Sequence, residues 1–165
     1  MFIKLNQRGF TLVQIMIVVA IIGLLAAIAI PNLLRARLNA NEGSIKTDLR
    51  TFSSANESYR AAQNPPSYSS NIATLNAPAA GPGYIDASWL AANQPKHGFN
   101  LTYTTGAAAP RNTYGMLAAP AVAGTTANNT YCVDQTGVVV GSTADGTANV
   151  PTGPAGGCGG GVAIA

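Results

Sequence analysis

The sequence predicts an α+β fold: a long N-terminal helix whose second half packs on a small antiparallel sheet. Three observations support this prediction. Residues 10–30 carry no charge, and residues 34–59 repeat apolar side chains at helical spacing. The chain beyond Pro66 is rich in Ala, Gly, Pro, Thr, Ser and Asn and contains several short strand-like runs.

Composition restricts the class of protein. The chain has 165 residues, of which 9% are charged, against about 25% in a typical soluble domain. A large multidomain enzyme and an ordinary cytosolic globule are therefore excluded. The net charge of +3 also excludes a strongly basic nucleic-acid binder. Two cysteines beside an apolar N-terminal segment indicate an exported protein.

We expect the domain boundaries to follow the changes in composition. Residues 1–9 form a short positive leader, and residues 10–31 form an apolar half-helix. Residues 32–64 form an amphipathic half-helix, and residues 65–165 form a small β domain with loops and a Gly-rich C-terminal tail.

The apolar run, Phe10 to Ile30, is long enough to cross a bilayer. Its 21 residues span about 30 Å as a helix, which matches the hydrocarbon core of a membrane. A helix also satisfies its own backbone hydrogen bonds in lipid. Basic residues flank both ends, Lys4 and Arg8 before the run and Arg35 and Arg37 after it. Charge alone therefore orients the helix only weakly.

The amphipathic half predicts a helix face that packs on the C-terminal zone. The apolar positions on this face are Leu34, Leu38, Ile45, Leu49, Phe52 and Tyr59. The charged side chains, Glu42 among them, fall on other faces. Asn64-Pro65-Pro66 ends the helix, and Pro31 predicts a kink or local melting inside it.

Four strands are expected in the C-terminal zone. They are Phe99 to Thr104, Tyr114 to Ala119, Thr130 to Asp134 and Gly137 to Val140. Gln135 and Thr136 separate the last two strands and form a plausible hairpin turn. The stretch from Pro65 to Pro95 shows no period and is predicted to be loop.

The most specific feature is the junction Arg8-Gly9-Phe10-Thr11-Leu12-Val13-Gln14 ahead of an apolar helix that ends at Pro31. It resembles the N-terminal segment of the type IV prepilin and type II secretion pseudopilin family. The resemblance implies cleavage between Gly9 and Phe10 by a prepilin peptidase, N-methylation of Phe10, and a fold with a protruding helix half covered by a sheet. It extends over residues 1 to about 62.

Gln14 departs from the pattern of that family, whose members mostly carry Glu at the fifth mature position. The resemblance implies that such a carboxylate pairs with the charged N-terminus of a neighbouring subunit. Gln14 can accept a hydrogen bond but cannot neutralise a buried amine. We therefore expect a minor or tip subunit, although a major subunit stays open if another carboxylate compensates.

Cys132 and Cys158 are the two cysteines. In an exported chain we favour a disulfide between them, and two reduced thiols are the alternative. The resemblance adds support, because members of the family often carry a C-terminal disulfide loop.

No residue set predicts catalysis, a metal site or a cofactor. His97 lies in the polar stretch Lys96-His97-Gly98, which is typical of a turn. Asp134 and Asp145 are too few for a calcium site. Trp89 and Tyr84 are expected to pack beneath a loop rather than to bind a ligand.

Nucleic-acid binding is not indicated either. Loss of the leader would leave seven basic and six acidic residues in the chain, and only Arg35 and Arg37 cluster.

Two other interpretations compete for the N-terminal segment. Ala27-Ile28-Ala29 could end a secretory signal peptide and leave Ile30 at the new terminus, but the apolar run is longer than the usual 7–15 residues. An uncleaved single-span anchor is the other alternative. Neither accounts for the Gly9-Phe10 junction.

We thus interpret the chain as a pilin-like or pseudopilin-like subunit, single-pass in the inner membrane before assembly and part of a periplasmic or extracellular filament afterwards. The implied partners are a prepilin peptidase, other pilin or pseudopilin subunits, an inner-membrane assembly platform and membrane lipid. A membrane-anchored binding module that does not polymerise is the alternative. The sequence does not distinguish a pilus from a secretion pseudopilus.

Overall fold

A computed structural model of the chain describes residues 9–79, 81–90, 95–143, 158 and 162–163. These residues divide into two compact units, one ending at Ala36 and the other beginning at Arg37. The first unit is helical from Leu12 onward. The second contains the rest of the same helix, two short helices and a sheet.

Helix α1, Leu12–Ala62, is the longest described element, and it lies within the helical stretch predicted over residues 10–64. It continues through Pro31, so the local melting expected there does not occur. The helix ends just before Asn64-Pro65-Pro66, as predicted, because the residue before a proline is driven away from helical dihedral angles. The N–H of Gln63 closes the last turn on the carbonyl of Arg60 at 3.2 Å.

The face of α1 that lies in the second unit is buried at helical spacing. Its buried residues are Leu38, Glu42, Ile45, Leu49, Phe52, Ser53, Ala55 and Asn56. This set confirms the central part of the predicted face. Two assignments were wrong: Leu34 is exposed, and Glu42 is buried because donors from the β domain surround its carboxylate.

Two short helices occupy the stretch that was predicted to be loop, and that prediction was wrong. Helix α2, Ile72–Asn76, begins where Oδ1 of Asn71 accepts a hydrogen bond from the N–H of Thr74. A 3-10 helix, Ala87–Leu90, follows Asp86, whose Oδ1 accepts from the N–H of Ser88 at 2.7 Å. Elements of four or five residues are too short to show a period, so only their caps could have predicted them.

Within the described residues, the sheet has five strands in the order β1-β2-β3-β4-β5, all antiparallel. The strands are β1 Phe99–Thr105, β2 Tyr114–Pro120, β3 Asn129–Asp134, β4 Val139–Thr143 and β5 Val162–Ala163. The first three agree with prediction to within a residue at each end. The α+β fold class is thereby confirmed.

Strand β4 starts two residues later than predicted. The N–H of Gly137 bonds to the carbonyl of Asp134 at 2.9 Å and closes a turn, and Gly137 has φ +72°. That left-handed conformation does not continue a strand. Pairing therefore resumes with Val139 opposite Val133.

The core lies between α1, the short helices and the sheet, and aromatic rings occupy its centre. The ring of Phe52 lies 5.3 Å from that of Trp89, 5.4 Å from Tyr103 and 6.2 Å from Tyr114. Offset and edge-on ring pairs at these separations add to the stabilisation from area burial.

Candidate functional site

The predicted cleavage position lies just outside α1. Gly9 and Phe10 are non-helical and exposed, with 83% of Phe10 accessible. A Cβ atom built on Gly9 would meet no atom within 4 Å, so packing within the described chain does not require glycine there. Lys4 and Arg8 of the leader lie outside the described residues.

Thr11 and Gln14 form a reciprocal pair at the start of the helix. Oε1 of Gln14 accepts from the N–H of Thr11 at 2.9 Å, and Oγ1 of Thr11 accepts from the N–H of Gln14 at 3.3 Å. This is a capping box, with Thr11 as the N-cap and Gln14 at the third helical position. The sequence analysis missed this role, although the Thr-x-x-Gln spacing ahead of an apolar run is its signature.

The first half of α1 exposes a continuous apolar surface. From Phe10 to Leu34, large apolar side chains are half exposed or more. The most apolar 18-residue window of α1 has a mean hydropathy of 2.9 and no buried part. Among the described residues, α1 is the one helix with the length and composition to cross a membrane. A signal sequence would pass the same test, whereas a buried core helix would not leave this surface open.

Glu42 forms the main polar contact between α1 and the β domain. Oε1 accepts from the N–H groups of Asn128 and Asn129, at 2.9 and 3.2 Å. Oε2 accepts from Nδ2 of Asn129 at 2.9 Å and from the hydroxyl of Tyr131 at 2.8 Å. Burial alone would raise the pKa of Glu42, but these hydrogen bonds outweigh it and lower the pKa below its ordinary value of 4.5. Glu42 is thus held as a carboxylate that fixes the segment between β2 and β3 on the helix.

Cys132 of β3 and Cys158 form a disulfide with a Cα–Cα distance of 5.7 Å. Asp134 reinforces the same connection. Its Oδ2 accepts from the N–H of Cys158 at 2.9 Å, and its Oδ1 accepts from the N–H of Thr136 at 2.9 Å. The C-terminal segment is therefore attached to β3 by a covalent bond and a charge-assisted hydrogen bond.

His97 lies in a tight turn, as predicted. Lys96 and Phe99 exchange backbone hydrogen bonds of 2.9 Å across it. Nε2 of His97 lies 3.2 Å from Oδ2 of Asp48, and Nζ of Lys96 lies 3.6 Å from the same atom. Lys96 also contacts the ring of Trp89, with Nζ 4.5 Å from its centroid. Nζ of Lys96 also donates to Oγ of Ser88 at 2.8 Å. These contacts attach the turn to α1.

Trp89 and Tyr84 pack against aromatic side chains of α1. Trp89 is buried against Phe52, and Tyr84 is partly buried with its ring 5.7 Å from that of Tyr59. Within the described ranges, no group of three or more His, Cys, Asp or Glu side chains could hold a metal ion. Asp145, one of the two aspartates weighed as calcium ligands, lies outside those ranges.

The comparisons with known proteins concern mainly the N-terminal part of the chain. Residues 4–30 match the family model described as the prokaryotic N-terminal methylation motif. A type IV wide pilus major component of Thermus thermophilus is 46% identical over 70 residues, which are 42% of this chain and 52% of that protein. A type IV major pilin protein of Myxococcus xanthus is 48% identical over 54 residues, which are 33% of this chain and 24% of that protein.

Relatives from secretion systems are also found. A type II secretion system core protein G of Aeromonas hydrophila is 32% identical over 92 residues, which are 53% of this chain and 64% of that protein. The chain thus spans between about a quarter and two thirds of the length of these three relatives. No solved structure matches it significantly.

Proposed function

Because the chain carries the N-terminal methylation motif and is homologous over its helical part to type IV pilins and secretion core proteins, we propose that it is a pilin-like structural subunit. In this proposal the chain is not an enzyme. It contributes to a filament through its N-terminal helix, and its β domain faces outward.

The observation that carries the proposal is the contrast between the two parts of α1. The methylation motif covers residues 4–30, and the apolar side chains of that part of the helix are exposed. From Leu38 onward the same helix buries one face in the β domain. An apolar surface of this size needs a cover. Membrane lipid supplies it before assembly, and the helices of neighbouring subunits supply it afterwards.

Processing is the second part of the proposal. A prepilin peptidase cleaves between Gly9 and Phe10 and methylates the new N-terminus at Phe10. The exposed, non-helical Gly9–Phe10 peptide is accessible to such an enzyme. The described residues leave open space at Gly9, which supports a requirement for glycine that comes from the enzyme. An inner-membrane assembly platform then extracts the subunit into a periplasmic or extracellular filament.

Gln14 bears on the position of the subunit in the filament. Its amide cannot neutralise the charged N-terminus of a neighbour in an apolar environment, and an unpaired buried charge is costly. We therefore propose a minor or tip position, where no neighbouring subunit places its charged N-terminus beside Gln14. Pro31 lies at the end of the apolar part and contributes to the packing element used in assembly.

The test is to express the chain in its host with and without the prepilin peptidase. We expect the membrane-associated chain to lose residues 1–9 only when the peptidase is present. A chain of unchanged size in both strains would overturn the proposal. Replacing Gly9 with Leu gives a matched control, since the structure leaves room for the side chain while a bulky residue obstructs a tight protease subsite.

A further inference from the structure

We propose that the Thr11–Gln14 capping box positions the Gly9–Phe10 peptide for cleavage, an inference that rests on the proposed function. The two side chains fix where α1 begins, and so keep the scissile bond outside the helix. Thr11 and Gln14 are thus positioning residues for processing.

The first step concerns the unpaired N–H groups of a helix N-terminus. The first four N–H groups have no partner within the helix. Here the N–H of Gln14 donates to the carbonyl of Thr11 at 3.1 Å and also to its side-chain Oγ1 at 3.3 Å, and the side chain of Gln14 accepts from the N–H of Thr11. Beside an apolar run, where water is scarce, such internal partners matter more than on an aqueous surface.

The second step concerns the backbone at the scissile bond. The first carbonyl of the helical ladder is that of Thr11, which accepts from the N–H of Ile15 at 3.4 Å. The carbonyl of Gly9, which a peptidase must polarise and attack, therefore lies outside the ladder. If the helix extended towards its N-terminus, this carbonyl would pair with the N–H of Val13 and would be withdrawn from the enzyme.

The third step concerns the chemistry that the box requires. Gln14 contributes only an acceptor oxygen, and Glu at the same position supplies one as well. Replacement by Glu therefore keeps the box and adds a charge, whereas replacement by Ala removes the hydrogen bond that the N–H of Thr11 donates. Likewise, Thr11→Ser keeps the hydroxyl acceptor and Thr11→Ala removes it. Comparing the conservative variant with the alanine variant at each position separates the effect of the capping hydrogen bond from the effect of charge.

The experiment measures cleavage of the full-length precursor in detergent micelles by a purified prepilin peptidase. The kcat/KM values of the wild type, Thr11→Ala, Gln14→Ala and the double variant form a cycle. Gln14→Glu and Thr11→Ser are the conservative variants, and Ile15→Ala is the control because it shortens an exposed neighbour that lies outside the box.

We expect each alanine variant to lower kcat/KM by roughly fivefold. The double variant should be poorer than either single one, because each single change removes one of the two hydrogen bonds and leaves the other. The conservative variants and the control should stay within about twofold of the wild type. Wild-type rates in both alanine variants would overturn the inference. So would a Gln14→Glu loss as large as that of Gln14→Ala.

A second measurement reports on the box without enzyme activity. Amide hydrogen exchange at Thr11 should be slow in the wild type and in Gln14→Glu and faster in Gln14→Ala. Equal exchange in all three would overturn the capping role. A wild-type precursor that is not cut after Gly9 would refute the proposed function, whereas a wild type that is cut at the same rate as the variants would refute only the present inference.

Discussion

The hydroxyl of Tyr131 on strand β3 donates a 2.8 Å hydrogen bond to Oε2 of Glu42 on helix α1. Three further hydrogen bonds reach the same carboxylate from Asn128 and Asn129. A buried carboxylate is tolerated only when its acceptor positions are satisfied in this way. The pair therefore joins the helix to the β domain at the point where the helix enters the core.

Replacing Glu42 with Ala should strongly destabilise the β domain. It leaves the donors of Asn128, Asn129 and the buried Tyr131 without an acceptor, at a cost of about 2–4 kcal/mol of unfolding free energy. Tyr131→Phe removes one bond and should cost about 1 kcal/mol. Urea unfolding of the full chain in mild detergent, followed by near-ultraviolet circular dichroism, measures both. Arg50→Gln, an exposed charge change on the same helix, is the control and should leave the unfolding midpoint nearly unchanged. Equal stability of Glu42→Ala and Arg50→Gln would contradict the assignment.

Stability should fall in acid because of the same carboxylate. Hydrogen bonding holds the pKa of Glu42 in the folded chain below its ordinary value of 4.5. A lowered folded pKa means that this stabilisation is complete above about pH 4.5 and is lost as the pH falls through the folded value. Glu42→Gln resembles the protonated acid, so the difference in unfolding free energy between wild type and variant should shrink below that pH. A difference that stays constant from pH 7 to pH 3 would show that the ionised form is not favoured by folding.

Opening the Cys132–Cys158 disulfide should lower the unfolding free energy by about 3–4 kcal/mol, because the bond closes a loop with a sequence separation of 26. Urea unfolding with and without reductant measures the change. The Cys132→Ser/Cys158→Ser variant should match the reduced wild type and show no response to reductant. Intact mass under alkylating conditions checks the bond itself, and labelling of both thiols without prior reduction would contradict it.

Gly98 should be much harder to replace than Gly124. It has φ +79°, and a Cβ atom there would lie 2.8 Å from Cβ of Thr126. Gly124 has a similar φ of +76°, but a Cβ atom would meet nothing within 4 Å. Gly124→Ala should therefore cost about 1 kcal/mol of backbone strain, and Gly98→Ala should cost several-fold more because the side chain of Thr126 must also move. Thermal unfolding compares the two variants directly. Equal melting temperatures would contradict the predicted steric clash between a side chain at position 98 and Thr126.

The elements with strong local signals were predictable from the sequence. The apolar run and the proline pair determine where α1 lies and ends, and alternation with turn residues locates β1 to β3. Helix α2 and the 3-10 helix were missed because each depends on a single cap, Asn71 or Asp86, rather than on a period.

The buried state of Glu42 was missed for a different reason. The groups that donate to it lie 86 to 89 residues further along the chain. The helical pattern of α1 alone does not show them, and it therefore predicts that a charged residue such as Glu42 faces solvent. The capping role of Gln14 was, by contrast, visible locally in the Thr-x-x-Gln spacing. The predicted hydrogen bond of Gln14 is therefore made within its own helix, to the N–H of Thr11.

The most direct test of the central claim is the intact mass and N-terminal sequence of the chain in the fraction sheared from the cell surface or released from periplasmic filaments. The account predicts that this fraction contains the chain and that it begins at N-methylated Phe10. A chain that begins at Met1 or at Ile30, or one that is found only as a monomer outside any filament, would contradict it.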